Sequence, residues 1–539
     1  MRAMKMKNTI LQTRLFLAPM VVMALAATAY AAAPGITGPT FNLTAQTAFI
    51  TQPDGTMIYS WGYGCNGAPT GYAPAAITGT FCNTMQIPGP TLIVTEGQTV
   101  TVNLTNGLPA SAGNTSILFP GFQVTPTGGV AGLLTQEAAP AGTVSYSFVA
   151  TSPGTRAYYS GTQGDLQVEM GLYGAVIVLP ASVPANCTST TSLAASNLTA
   201  EAHWGEHDFR LAAAAYDHAK SCYDREYLFQ FSEMDPNIHS QALAQVTATT
   251  GCTAGAPGCS LQVPTEPYHP AYFMINGRSM PDDMDGNYAP MYPHQPYNGN
   301  PHMHPGEQVL LRIVGQGRWQ HPFHEHANHV RILARDGNLI LSATDPNSLA
   351  GPLLFTTTTT PGLAMDGMFY FTGRGLNWDM YAHNPTSSDP NAKLTCVPDA
   401  NGYNTSAPTA INYFEWCQDH NKPLEVAPFG DVDANGPATL PDPHILTNGA
   451  WYGGSPYLGP NATTRATGCM AGAPAGSCGA TGVTPPSGTI ANPPASEAGF
   501  AFMWHSHNER EITTGNAFPG GMLMMMLVDS REFVIDESN

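Results

Sequence analysis

Thr91-Leu-Ile-Val-Thr-Glu-Gly-Gln-Thr-Val-Thr-Val-Asn-Leu-Thr105 alternates apolar and polar residues on either side of Gly97, the pattern of two half-buried β-strands separated by a turn. Further strands are predicted at Val144–Ala150, Thr155–Tyr159 and Gly171–Leu179, which makes residues 40–182 one antiparallel sandwich. Strands resume at Tyr227–Phe231, Tyr272–Asn276, Gln308–Val314, His329–Ala334 and Met368–Thr372, and close at Phe500–His505 and Gly521–Val528. The strand series of the first sandwich, ending Gly154-Thr-Arg-Ala-Tyr-Tyr159 and Gly171-Leu-Tyr-Gly-Ala-Val-Ile-Val178, recurs as Gly499-Phe-Ala-Phe-Met-Trp504 and Gly520-Gly-Met-Leu-Met-Met-Met-Leu-Val528. In the latter, alternation puts Met522, Met524 and Met526 on one face, where core packing is their expected role. The Ala-rich middle of Glu201–Lys220 is predicted as the one notable helix.

Composition points the same way. Charged residues make up only 11%, and 55 Gly with 47 Pro suit short strands joined by many turns. A chain of 539 residues holds two or three domains. The net charge of −19, with no Lys/Arg run after the N-terminal segment, excludes nucleic acid as a partner. Arg2, Lys5, Lys7 and Arg14, the apolar run Leu15–Ala27 and the small-residue site Ala29-Tyr-Ala31 read as a secretory signal over residues 1–33, with no membrane span after its cleavage. Ten cysteines in an exported chain read as disulfides, most simply Cys65/Cys82, Cys187/Cys222, Cys252/Cys259, Cys396/Cys417 and Cys469/Cys478. The expected organisation is a domain at 34–185, a linker at 186–224, and a second domain at 225–375 plus 495–530. Residues 376–494 then form either a disulfide-stapled insertion or a degenerate third domain.

Two histidine groups carry the chemistry: His321-Pro-Phe-His324-Glu-His326 and Trp504-His505-Ser506-His507. In a strand, residues i and i+2 share a face, so His324/His326 and His505/His507 each offer two imidazoles on one side. Imidazole suits copper and zinc. The plainer reading of such residues is a rim of hydrogen-bonded polar side chains. His302 and His304, and His203 with His207 at the i, i+4 spacing of a helical metal pair, are secondary candidates whose plainer reading is ordinary surface residues. Glu325 and Glu511 are candidates for a proton relay beside a metal.

Pro305-Gly-Glu-Gln-Val-Leu-Leu-Arg-Ile-Val314, then His-Pro-Phe-His-x-His, then Trp-His-x-His followed by Gly-Gly-Met, resembles the multicopper oxidases, including laccases and two-domain bacterial relatives. Gln86-Ile-Pro-Gly-Pro-Thr-Leu92 and Phe273-Met-Ile-Asn-Gly-Arg278 belong to the same resemblance. It implies an all-β fold of tandem cupredoxin-like Greek-key sandwiches, with the insertion in the C-terminal domain, and copper as cofactor. It aligns His324 with a mononuclear copper ligand, His326, His505 and His507 with ligands of a coupled pair, and His321 with the blue-copper set. The departures are as specific. The first-domain motifs are replaced by Leu118-Phe-Pro-Gly121 and Tyr158-Tyr-Ser-Gly161, the blue-copper cysteine by Ser506, and a histidine by Glu511.

The resemblance and the residues together imply an exported copper-binding protein, periplasmic or extracellular. As an oxidoreductase it would use a histidine-ligated centre in the C-terminal domain and a small-molecule reductant, in place of the full blue-copper and trinuclear set. The alternatives are a copper carrier without turnover and a structural or interaction module. Two-domain relatives commonly form trimers, so a homo-oligomer is implied by resemblance alone.

Overall fold

The computed structural model describes residues 33–74, 82–374, 388–391, 396–418 and 498–535, with four short strand pieces between 432 and 491. In the first half of the chain, one sheet carries β1 (Thr40–Thr51), β2 (Met57–Cys65), β4 (Thr99–Asn106) and β5 (Thr143–Val149) in the order β2-β1-β4-β5. Its facing sheet carries β3 (Leu92–Thr95), β6 (Gly154–Tyr159) and β7 (Tyr173–Leu179) in the order β6-β7-β3. Along β4 every second residue, Val100, Val102 and Leu104, is buried, as the alternation requires. These side chains pack with Trp61, Tyr146 and Phe148 into one core.

The second half repeats the plan. β8 (Arg225–Met234), β9 (Tyr272–Ile275), β10 (Gln308–Gly315), β12 (Val330–Arg335) and β13 (Ala364–Tyr370) form one sheet in the order β9-β8-β10-β13-β12. β11 (His321–Glu325), β14 (Ala498–Ser506) and β15 (Leu523–Asp529) form the other in the order β15-β14-β11, with His302–Met303 and Thr356–Thr359 at its edges. Phe229, Phe231, Phe323, Phe502, Trp504 and the fully buried Met522, Met524 and Met526 fill the space between the sheets. The class is the cupredoxin-like tandem sandwich that the sequence implies.

Two expectations are corrected. The sheets are mixed, not antiparallel throughout: β1 runs parallel to β4, β3 to β7 and β8 to β10. In the first sandwich the chain crosses to the facing sheet and back between those strands, and such crossovers allow parallel neighbours. The Ala-rich segment is not helical either. Helix α1 covers Leu193–Trp204 and stops at Gly205, whose φ of 98° ends the helix in the left-handed region. Helix α2 covers Pro236–Ala248, started by the Asp235 side chain, which accepts from Asn237 N, and by proline in its first turn. Its Ile238 and Ala242 enter the core of the first sandwich.

The sandwiches are docked through apolar clusters, such as Ala157 and Ile177 with Leu228, Val314 and Ala364, and through polar contacts. Asp366 on β13 accepts from Thr155 N (3.1 Å) and Thr155 Oγ1 (2.6 Å), and Gln316 Nε2 donates to Gly174 O (2.9 Å). Four disulfides, Cys65–Cys82, Cys187–Cys222, Cys252–Cys259 and Cys396–Cys417, match the neighbour pairing, and no described cysteine is free. Cys469/Cys478, the signal segment and most of 376–494 lie outside the described residues.

Candidate metal centre

β11 and β14 pair antiparallel with Phe323 opposite Ser506, His324 opposite His505 and Glu325 opposite Trp504. Cross-strand partners share a face, so this register divides the histidine motifs between the two faces of one sheet. Phe323, Glu325, Trp504 and Ser506 point inward. His324 and His505 point outward, and His326 and His507, two residues on along each strand, flank them. The next backbone bond, His507 N to Pro322 O at 2.8 Å, and Trp504 Nε1 donating to His326 O at 3.0 Å, fix the chain at both flanks.

On the outer face the four rings gather. Centroid separations are 4.9 Å for His324–His326, 4.7 Å for His324–His507, 5.6 Å for His324–His505, 5.3 Å for His326–His505 and 5.5 Å for His505–His507. His324 and His505 are buried, His326 is half-buried and His507 exposed. His505 Nδ1 lies 2.7 Å from Ser506 O, and a carbonyl can only accept, so in the neutral ring Nδ1 holds the proton and Nε2 the lone pair. That Nε2 is 3.4 Å from His326 Nε2. Two nitrogens on one tetrahedral ion, each about 2.0–2.1 Å from it, stand about 3.3 Å apart, so this pair already has the spacing of shared ligands. His324 Nδ1 is held by Thr356 Oγ1 at 2.7 Å, an orienting contact of the kind that supports a ligand.

The cluster is gathered but not closed. Among the described residues, no three His, Cys, Asp or Glu side chains stand arranged around one metal position. Closure needs ring rotation, which the exposed His507 and half-buried His326 have room to make. Burial, and next the neighbouring His326, His507 and His505, push His324 down to about 4, so it is an unprotonated donor at neutral pH. His505 is lowered as well, chiefly by burial. The donor set is therefore four imidazoles, the two buried ones held in the neutral form, which fits copper.

The inner face holds something different. His321, expected to belong to the metal set, stands three positions before His324, an odd offset along the strand, and faces the core. Its Nε2 is 2.9 Å from Glu233 Oε2 and its Nδ1 2.9 Å from Glu511 Oε2, so both ring nitrogens are taken. Burial alone would depress its pKa, but the hydrogen bonds and charges of Glu233 and Glu511 outweigh it and hold the ring at about 9. Ser506 Oγ donates to Glu511 Oε2 at 2.5 Å, and Asn508 Nδ2 to Oε1 at 2.9 Å. Glu233 Oε1 accepts from Arg318 N (2.7 Å), Trp319 N (2.8 Å) and Tyr268 OH (3.2 Å). His321, Ser506 and Glu511, which the resemblance aligns with blue-copper ligand positions, thus meet at one point, where they form a buried imidazolium between two carboxylates.

Glu325 and Glu511, expected as a proton relay beside the imidazoles, are on this inner face. Burial pushes Glu325 well above the usual carboxylate range, and its Oε2 has no hydrogen-bond partner, so it is a core side chain turned away from the imidazoles. The secondary candidates also separate from the cluster. His302 Nδ1 is 2.7 Å from Asp529 Oδ2, and His304 Nε2 is 2.6 Å from Glu206 Oε1, within a buried charge network with Arg225 and Glu307. His203 ends α1 at 3.2 Å from Asp389, and Gly205 stops the helix before His207, so their i, i+4 spacing is not helical. Glu233, the other partner of His321, is not among the residues the sequence singles out; it lies in β8, where all ten residues are buried.

Comparison with known proteins falls on the first sandwich. Residues 72–182 match the family model described as multicopper oxidase. Over those residues the first sandwich is similar to a multicopper oxidase domain. That family implies copper as the cofactor, and the four-imidazole face of the second sandwich is the donor set that fits it. No curated protein matched the sequence. Among solved structures, the chain is similar to the multicopper oxidase mgLAC, at 15% identity over 91% of this chain and 85% of that one, with a TM-score of 0.42. It is similar to the blue copper oxidase from Nitrosomonas europaea at 15% identity (90% and 85% covered, TM-score 0.41). It is also similar to the copper nitrite reductase from Nitrosomonas europaea at 18% (62% and 84%, TM-score 0.35). No described helix is long and apolar enough to cross a membrane.

Proposed function

We propose that the chain is an exported copper-dependent oxidoreductase related to the multicopper oxidases. Its metal centre is formed by His324, His326, His505 and His507 of the second sandwich and replaces the full blue-copper and trinuclear set. The observation that carries this reading is the register of β11 on β14, which sets His324 opposite His505 with the other two imidazoles on the same face. Copper, when bound, supplies one-electron redox chemistry. The chain's own residues do the rest: Ser506 O fixes the His505 tautomer, Thr356 orients His324, and burial keeps both rings neutral. His507, on the exposed side, leaves an approach for a small-molecule reductant. On sequence grounds we further propose a cleaved signal at 1–33, a periplasmic or extracellular location, and units at 34–185 and at 225–375 plus 495–530.

The test is copper analysis of purified protein with its optical spectrum and copper-dependent oxidation of a reductant. Bound copper without an intense band near roughly 600 nm is expected, because every described cysteine is in a disulfide and serine stands at position 506. Such a band, or oxidation that survives complete removal of copper, contradicts the reading.

A further inference from the structure

In the first sandwich, Leu118 and Tyr159 form the backbone bridge that His324 and His505 form in the second. Leu118 N donates to Tyr159 O at 2.7 Å and Tyr159 N to Leu118 O at 3.3 Å. Where the second sandwich gathers imidazoles, the first opens into a cavity of about 580 Å³, bounded by Leu118, Leu134, Tyr159, Gly161, Asp165 and Val168. Gln316, Gly317 and Pro361 of the second sandwich close its far side, so the cavity lies between the two domains. We propose that this cavity is a binding site for an uncharged or cationic apolar small molecule that carries hydrogen-bond donors.

Its size is within the range of about 300–1,000 Å³ common for small-molecule sites, and clefts between domains are a usual place for them. Apolar side chains stand unburied at its mouth. Leu133 is 92% and Leu134 64% exposed, at the tip of the hairpin joining Val130–Ala131 to Gln136–Glu137, and both line the cavity. Two adjacent leucines at a cavity mouth are an apolar patch that a bound molecule would cover. The charge selects the molecule. Among the described lining residues Asp165 is the one ionisable group apart from the phenol of Tyr159, and none is Lys, Arg or His. Thr265 Oγ1 holds Asp165 Oδ2 at 2.8 Å, which orients the carboxylate. An anion finds no counter-charge there, whereas an ammonium or amine N–H finds an acceptor. Gly317 in the wall has Glu233 on its other side: a Cβ there would overlap Glu233 Oε2, so glycine lets the carboxylate pack against this stretch of backbone.

The site does not depend on the copper reading, and its test does not use copper. Proflavine, a flat cation with two amino groups, is titrated into full-length protein and followed by fluorescence, with the anion 1-anilinonaphthalene-8-sulfonate as counterpart. One saturable equivalent of proflavine per chain is expected, with weaker binding of the sulfonate. Leu134→Arg, at an exposed position that leaves the fold intact, should weaken proflavine by about tenfold or more by placing like charge at the mouth. Asp165→Asn should weaken it by about threefold, as for a solvent-facing ion pair. No saturable binding by the parent, or binding unchanged by Leu134→Arg, overturns the site. Loss with Leu134→Arg but not with Asp165→Asn overturns the assignment of ligand class.

Discussion

The two sandwiches share a strand plan and diverge at one pair of positions. In the second, His324 opposes His505; in the first, Leu118 opposes Tyr159. The backbone is the same instrument in both cases, presenting cross-strand side chains on one face, and the chemistry is set by what those positions hold. Imidazoles give a donor cluster, whereas a leucine and a tyrosine give the wall of an apolar cavity. A second contrast lies within a single sheet. The outer face of β11 and β14 carries the neutral rings of His324 and His505, while the inner face carries His321 as an imidazolium between Glu233 and Glu511. A one-residue change of parity along the strand separates a metal ligand from a buried ion pair.

The largest expected effect breaks this second contrast. His321→Ala leaves two buried carboxylates with no cation between them, and should destabilise the metal-free protein by about 3–5 kcal/mol in chemical denaturation. The same truncation at His324, whose charged form the fold does not use, should cost less than about 1 kcal/mol. Equal losses at the two positions would mean that the faces do not differ as described.

A smaller effect follows from pH. His321 is held at about 9 in the folded protein, above the ordinary value of about 6.5 in the unfolded chain. Its contribution is therefore fully present below about pH 6.5 and lost as pH rises through about 9. In Glu511→Gln one carboxylate partner becomes neutral, so the folded value falls and the loss moves to lower pH. Denaturation midpoints measured across this range should show the shift relative to the parent, and an unmoved profile would remove Glu511 from the account.

Much of the fold was legible in the sequence, and the reasons are local. The alternation around Gly97, the recurring strand series and the stripe of Met522, Met524 and Met526 each report which side chains face a core. The four-histidine face was legible because i and i+2 spacing states a face directly. The same rule places His321, three residues before His324, on the other side, so its removal from the metal set was readable too. What was not readable is long-range. Glu233 reaches His321 from 88 residues away, and no spacing rule announces that partner. The helix at Pro236–Ala248 carried its own signal in Asp235-Pro236, which the Ala-rich stretch nearby outweighed although Gly205 ends the preceding helix. The cavity beside Leu118 needs both sandwiches docked before it exists.

The most direct test of the account is copper retention in the double variant His326→Ala with His505→Ala, which takes one imidazole from each strand and removes the pair whose Nε2 atoms are 3.4 Å apart. After copper loading and dialysis against a competing chelator, bound metal should fall well below half of the parent value, because two imidazoles hold a metal far less tightly than four. The thermal transition of the metal-free variant should stay close to that of the metal-free parent, since the aromatic core lies on the opposite face. A folded double variant that keeps its full copper content would contradict the claim that these two strands form the metal centre.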